Sequence, residues 1–182
     1  MTAADGKRFA WMVAPWSAYG WGNIAVEAEG DSLTRIGLLN GWYAPPSGLK
    51  PQPDDPLLAA AIEEIYAYLN GTRRSFDLPL KLEGTEFQQK VWREISAIPY
   101  GGTLTYGEIA RKIGRPRAAR AVGGAVGANP LPPIIPCHRV LRAGGKLGGY
   151  GGHTERDFKL KCFFLALEGA ERPPDCDRYS IR

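Results

Sequence analysis

No run in the 182 residues approaches about 18 uninterrupted apolar positions, which excludes a membrane-spanning helix. The first 20 residues, MTAADGKRFAWMVAPWSAYG, are broken by acidic and aromatic side chains and lack the apolar core of a secretory signal. The expected setting is therefore the cytoplasm, or the nucleus in a eukaryotic source. Cysteine is scarce: three residues, at 137, 162 and 176, with no CxxC pair. That is too few for a disulfide framework, and in a reducing compartment all three are expected as thiols. Histidine is scarcer still, at two, and residues 1–83 contain neither histidine nor cysteine. A structural zinc needs about four such ligands at recurrent spacing, so no metal is expected. Acidic residues nearly vanish from 103–146, which holds eight basic side chains and one acidic one, Glu108.

What is present is ordinary for a globular protein: 44% hydrophobic and 23% charged residues. The 23 glycines and 15 prolines show no collagen period and indicate many tight turns. The length suits one average domain or two small ones. The two halves differ in charge. Residues 1–83 carry seven basic against ten acidic side chains, and residues 84–182 carry sixteen against nine. Such a basic second half fits a polyanion partner, and equally a solubilising face.

The first half reads as short strands, then a loop, then a helix. AWMVAP, GNIAVEAEG and LTRIGLLNG are apolar or alternating runs bounded by turn residues, as in an antiparallel meander. Residues 44–56 contain five prolines and exclude a helix. Asp55-Pro56 then opens a helix with Leu58, Ile62, Ile65 and Leu69 on one face, stopped by Asn70-Gly71. Residues 73–83 are basic, then extended, leading to a linker. In the second half Thr85 caps a helix whose face carries Phe87, Val91, Trp92 and Ile95. Thr105 caps a short helix, YGEIARKIG, and a further helix, AARAVGGAVGAN, ends at Asn129-Pro130. Two short helices around a turn make a helix-turn-helix, or an ordinary helical hairpin. The fold class expected is α+β. A small N-terminal α/β domain with an antiparallel sheet (1–83) precedes a mainly helical C-terminal domain (84–182) containing the helix-turn-helix.

Gly123, Gly124 and Gly127 each cost a helix about 1 kcal/mol relative to alanine. Close approach of a nucleic-acid backbone offsets that, and so does packing against a neighbouring helix. In LPPIIPCHRVL, Pro132, Pro133 and Pro136 are expected to hold the chain extended on approach to Cys137, with Ile134 and Ile135 buried. A cysteine in such a segment is an inert core residue or, with His138 and Arg139 following at once, a thiolate nucleophile. Cys162 reads as structural, and Cys176, in the polar tail, as exposed and incidental.

The pieces GTEFQQKVW, IPYGGTLTYGEIA, RAVGGAVGANP, PCHRV and LALEG occur in that order between Gly84 and Gly169. In this the chain resembles the O6-alkylguanine-DNA alkyltransferases, also called methylated-DNA–protein-cysteine methyltransferases. The match is specific, because PCHRV follows a RAVG…NP helix. Residues 1–83 match more weakly, chiefly in PLLAAAIEEIYAYLNGTRRSFDLPL.

The resemblance implies an irreversible, single-turnover repair reaction. An alkyl group passes from the guanine oxygen of O6-alkylguanine, and from O4-alkylthymine, to the protein's own Cys137. It implies His138 as base through a water, Glu168 as the carboxylate that orients it, and Asn129 as the brace of the active-site turn. Tyr106 would help rotate the nucleotide and contact the base, and Arg120 would fill the gap left by the flipped base. Thr105, Arg117, Ala121, Gly123 and Gly124 would lie along a minor-groove contact, and Pro132, Val140, Tyr150 and Gly151 would line the pocket. The implied partner is double-stranded DNA carrying alkylated guanine, with no cofactor, no metal, no membrane and a monomeric protein. Two departures stand out: Gly127 and Ala128 replace the basic residue many members carry before Asn-Pro, and GGHTERDFKLKCFFLALEG has a longer spacer. A non-catalytic damage-binding protein and a sequence-specific regulator are the competing classes.

Overall fold

The computed structural model describes residues 6–12, 23–38, 50–149 and 154–179. The expected pocket residues Tyr150 and Gly151 lie outside these, as do residues 13–15 of the first strand run and residues 44–49 of the Pro-rich loop. The chain divides into two compact units, Met1–Glu83 and Gly84–Arg182.

The first unit is a three-stranded antiparallel sheet in sequential order, β1 (Lys7–Met12), β2 (Ile24–Glu29) and β3 (Ser32–Leu38). Its core comprises Phe9, Ala10, Val26, Ala28 and Leu33 from the strands, with Leu58, Ala61 and Ile65 of α1 (Pro56–Leu69). Asp55 caps α1 by accepting from the Leu57 and Leu58 amides at 3.1 and 3.0 Å. Within the extended stretch 73–83, residues 79–81 pair with β3. Leu33 donates to the Pro79 carbonyl at 2.8 Å and accepts from Lys81 at 2.9 Å. Leu80 thus forms a parallel bridge to Leu33 and adds a rung at the edge of β3.

The second unit is helical. α2 (Glu86–Ser96) and α3 (Tyr106–Lys112) each begin with a reciprocal capping box, Thr85–Gln88 and Thr105–Glu108. A turn leads to α4 (Ala119–Gly127), which completes the helix-turn-helix arrangement. The Trp92 indole donates to the Ala125 carbonyl at 2.8 Å and fastens α2 to α4. Two short strands, β4 (Leu104–Thr105) and β5 (Val140–Leu141), pair in parallel with Leu104 opposite Val140 and Thr105 opposite Leu141. This pairing sets the segment after Cys137 beside the start of α3. α5 (Glu155–Leu167) closes the unit and is followed by a short 3-10 helix, Pro174–Tyr179.

Two sequence expectations fail here. Residues 131–135 are not extended. The Ile135 amide donates to the Leu131 carbonyl at 2.9 Å, folding the prolines into a compact turn with a cis Pro132–Pro133 bond. Ile135 is buried in that turn and Ile134 half-buried. Nor are there three thiols: Cys162 and Cys176 form a disulfide, and Cys137 is the free cysteine. Cys176 is buried at 1% exposure, packed with Leu141, Leu147 and Leu165, because the 3-10 helix folds back on α5. Among the described residues, no helix is long and apolar enough to cross a membrane.

Candidate functional site

Cys137, His138 and Arg139 form one turn of 3-10 helix directly before β5, all three buried. Asn129 holds the preceding turn from both sides. Its amide donates to the Ile135 carbonyl at 2.7 Å, and its carbonyl accepts from the Leu131 amide at 3.0 Å. The turn that leads to Cys137 is therefore held by the Asn129 side chain bonding the backbone on both sides.

Glu168, at the end of α5, is where the surrounding segments meet. Its Oε1 lies 2.9 Å from His138 Nε2, and the Arg139 guanidinium grips both oxygens, Nε to Oε2 at 2.8 Å and Nη2 to Oε1 at 2.7 Å. The Gly101 amide donates to Oε2 at 3.1 Å, and the Tyr100 hydroxyl donates to the neighbouring Leu167 carbonyl at 3.0 Å. Gly101 has φ of +76°, and a Cβ there would press on the Glu168 carbonyl at 2.9 Å, so glycine is required at this crossing.

The electrostatics of this cluster follow from burial. Burial pushes the His138 imidazole below its ordinary value, with the Glu168 hydrogen bond acting in the opposite direction. A neutral imidazole is one that can take a proton. The ring stacks on Phe164 with centroids 4.8 Å apart, which fixes its plane. Burial also raises Tyr106, to about 12, so its hydroxyl stays a proton-bearing donor. That hydroxyl donates to the Gly149 carbonyl at 3.2 Å, and a Cβ at Gly148 would overlap it.

Lys161 is a site residue that sequence reasoning missed. It is fully buried on α5, donates to the Val140 carbonyl at 2.6 Å, and is pushed down to about 8 by burial, with the charge of Cys137 opposing that fall. Its signal was available, since Lys161 lies seven residues before Glu168, on the same helical face.

A groove of about 890 Å³ runs across the unit. Three stretches line it: Thr105, Tyr106, Gly107 and Arg111; Ala119, Arg120, Gly123, Gly124 and Gly127; and Arg142, Ala143 and Gly149. Of the expected contact residues, Thr105, Tyr106, Arg120, Gly123 and Gly124 meet here. Ala121 does not; it faces a separate hollow with Phe87, Lys90, Ile113 and Arg115. Arg117 is exposed in the turn before α4, while Pro132 and Val140 are buried beside Cys137 in sequence rather than on the described groove wall. Cys137 is also absent from that wall and is 6% exposed, but it lies close enough for its charge to bear on Tyr106. Nothing within 4 Å would meet a Cβ at Gly124 or Gly127, so the chain's own packing does not explain these glycines. Among the described residues no cluster of three metal-ligating side chains occurs.

Residues 86–170 match the 6-O-methylguanine DNA methyltransferase, DNA binding domain, and residues 18–82 match the ribonuclease-like domain of the same proteins. The methylated-DNA--protein-cysteine methyltransferase of Methanosarcina acetivorans is 51% identical over 152 residues, 82% of this chain and 93% of its own. That of Mycobacterium bovis is 45% identical over 154 residues, 85% of this chain and 90% of its own. The structure of Mycobacterium tuberculosis OGT in complex with DNA superposes with a TM-score of 0.78 at 38% identity, covering 95% of this chain and 99% of that one. The chain belongs to the 6-O-methylguanine DNA methyltransferase family.

Proposed function

We infer that this protein is a single-turnover methylated-DNA–protein-cysteine methyltransferase, a DNA repair protein that moves an alkyl group from O6-alkylguanine, and from O4-alkylthymine, onto Cys137. The observation that carries the reading is the buried Cys137–His138–Arg139 turn with His138 Nε2 fixed 2.9 Å from Glu168. An alkyl ether of guanine is a poor electrophile, so attack on it needs thiolate. With Nε2 committed to Glu168, Nδ1 is the nitrogen that takes the thiol proton, directly or through a water. Sulfur then forms its bond to the alkyl carbon as the bond from that carbon to the guanine oxygen breaks. The electron pair of the broken bond passes to guanine, and the proton removed from sulfur ends on the guanine ring. Tyr106, protonated at any physiological pH, releases the Gly149 carbonyl and donates to the ring as charge develops there.

The target base lies inside a stack, and extruding it costs a few kcal/mol. Arg120, exposed on α4 at the groove, occupies the gap left behind. Gly123 and Gly124 let the helix backbone come close to the minor groove, which holds little sequence information and suits a scanner for damage. Pro132, Val140, Tyr150 and Gly151 enclose the base, and Thr105, Arg117 and Ala121 complete the DNA contact. The protein acts as a cytoplasmic monomer, or a nuclear one in a eukaryote, on double-stranded DNA.

The test is incubation with duplex DNA containing O6-methylguanine, followed by mass analysis of peptides. One methyl on the Cys137 peptide, lost in Cys137→Ala, is expected. Repaired DNA beside an unmodified Cys137 peptide refutes the assignment, and tight lesion binding without transfer establishes a non-catalytic binder instead.

A further inference from the structure

The groove's charge does not come from α4 alone. That helix contributes Arg120, then Gly123, Gly124 and Gly127, and its last turn contains no basic residue. The remaining cations on the groove wall are Arg111 of α3 and Arg142, which follows β5. The register explains how Arg142 arrives there. Thr105 pairs with Leu141, so Tyr106, the first residue of α3, and Arg142 directly follow two parallel, paired strands. Both leave the ladder into the same groove.

The loop that presents Arg142 is fixed at both ends. The Arg142 amide donates to the Lys146 carbonyl at 2.8 Å, closing a turn through Gly144 and Gly145, whose φ angles are +74° and +69°. Immediately beyond, the Leu147 amide donates to the Asp175 carboxylate at 3.1 Å. A preformed loop loses less freedom when its side chain takes a ligand. Several other cations of this unit are engaged: Lys90 with Glu86, Lys112 with Glu94, Arg139 with Glu168, Lys159 with Glu155 and Arg172 with Asp177. Arg111, Arg120 and Arg142 pair with no carboxylate among the described residues, and they are the cations that line the groove. Exposed guanidinium groups sharing one groove repel one another unless a polyanion enters it.

We propose that Arg142 is a DNA-binding residue, gripping a backbone phosphate from a wall of the groove other than α4 and supplying the charge that the glycine-rich end of that helix lacks. The inference rests on the DNA-repair reading above. Arginine suits the task because its planar fork can meet two phosphate oxygens at once. The Arg142 charge also bears on both Tyr106 and Lys161, in keeping with its place beside the reacting end of the groove. A phosphate held there belongs to DNA already seated against Tyr106.

The experiment measures binding of an unmodified duplex, by fluorescence anisotropy, across about 50 to 200 mM salt. The proteins compared are the unaltered chain, Arg142→Gln, Arg142→Lys and Arg178→Gln, the last an exposed cation outside the groove. Loss of one phosphate contact should make the slope of log K against log salt shallower by about 0.9 in Arg142→Gln and weaken low-salt binding roughly tenfold. Arg142→Lys should recover the slope and only part of the affinity, while Arg178→Gln should match the unaltered protein. Arg142→Gln with Arg120→Gln should lose both slope increments together. A slope in Arg142→Gln equal to that of the unaltered protein, with an unchanged melting temperature, overturns the proposal. Absence of salt-dependent binding by the unaltered protein would sink the DNA reading itself, and transfer to Cys137 is read separately by mass.

Discussion

Arg139 and Glu168 form a two-pronged buried pair, Nε to Oε2 at 2.8 Å and Nη2 to Oε1 at 2.7 Å, while the same carboxylate holds His138. The pair is thus both a structural tie and the support of the proposed base. Removing one partner leaves the other buried and uncompensated, at a cost of about 3–5 kcal/mol. Arg139→Met should therefore lower unfolding free energy by about that amount in urea titration. A loss under about 1 kcal/mol would show the pair to be dispensable.

The His138 environment sets a pH dependence. Burial depresses the folded-state imidazole below 6.5, so the unfolded chain takes up a proton that the folded one resists. His138 therefore imposes no proton-linked loss of stability above about pH 6.5, and stability falls as the pH drops below that value. His138→Gln should flatten this part of the stability profile and slow transfer by about 10²–10⁴-fold. Identical pH profiles for variant and unaltered protein would contradict the buried neutral histidine.

Two glycines with opposite surroundings make a paired test. At Gly124 a Cβ meets nothing within 4 Å, so Gly124→Ala should stabilise α4 by about 1 kcal/mol while weakening duplex binding. At Gly148 a Cβ meets the Tyr106 ring at 2.5 and 2.7 Å, so Gly148→Ala should cost about 1–3 kcal/mol and displace Tyr106. Thermal melting and anisotropy read both. Gly124→Ala that bound DNA as tightly as before would remove the functional account of that glycine.

The disulfide between Cys162 and Cys176 spans 14 residues, and closing such a loop stabilises by about 3 kcal/mol. Melting in a dithiol reductant should fall for the unaltered protein and stay constant for the Cys162→Ser, Cys176→Ser double variant. Equal melting of the unaltered protein with and without reductant would show that the link contributes nothing.

Much of this architecture is legible in the sequence. The caps Asp55, Thr85 and Thr105 announced their helices, because a short oxygen-bearing side chain at the N-cap satisfies amides that nothing else reaches. PCHRV marks the buried Cys137–Arg139 turn. What stayed hidden depends on long-range packing. The Cys162–Cys176 link joins a helix to a returning tail, and no local pattern marks such a return. The Leu33–Leu80 bridge is a single rung without periodicity. The turn at 131–135 is not legible in the sequence, because prolines restrict φ without dictating whether successive residues extend or close. Lys161 shares a helical face with Glu168, but that its amine meets the Val140 carbonyl follows only from the packing of α5 on β5.

The Asp175 carboxylate holds the Leu147 amide from 28 positions further along the chain. A trimmed version ending at Ala170 would discard this anchor together with Cys176. The damage would then surface not at the cut end but in the Arg142–Gly149 segment and in the tyrosine resting against it. Affinity handles and fluorescent fusions for this protein therefore belong ahead of its first strand, where they leave that remote tether undisturbed.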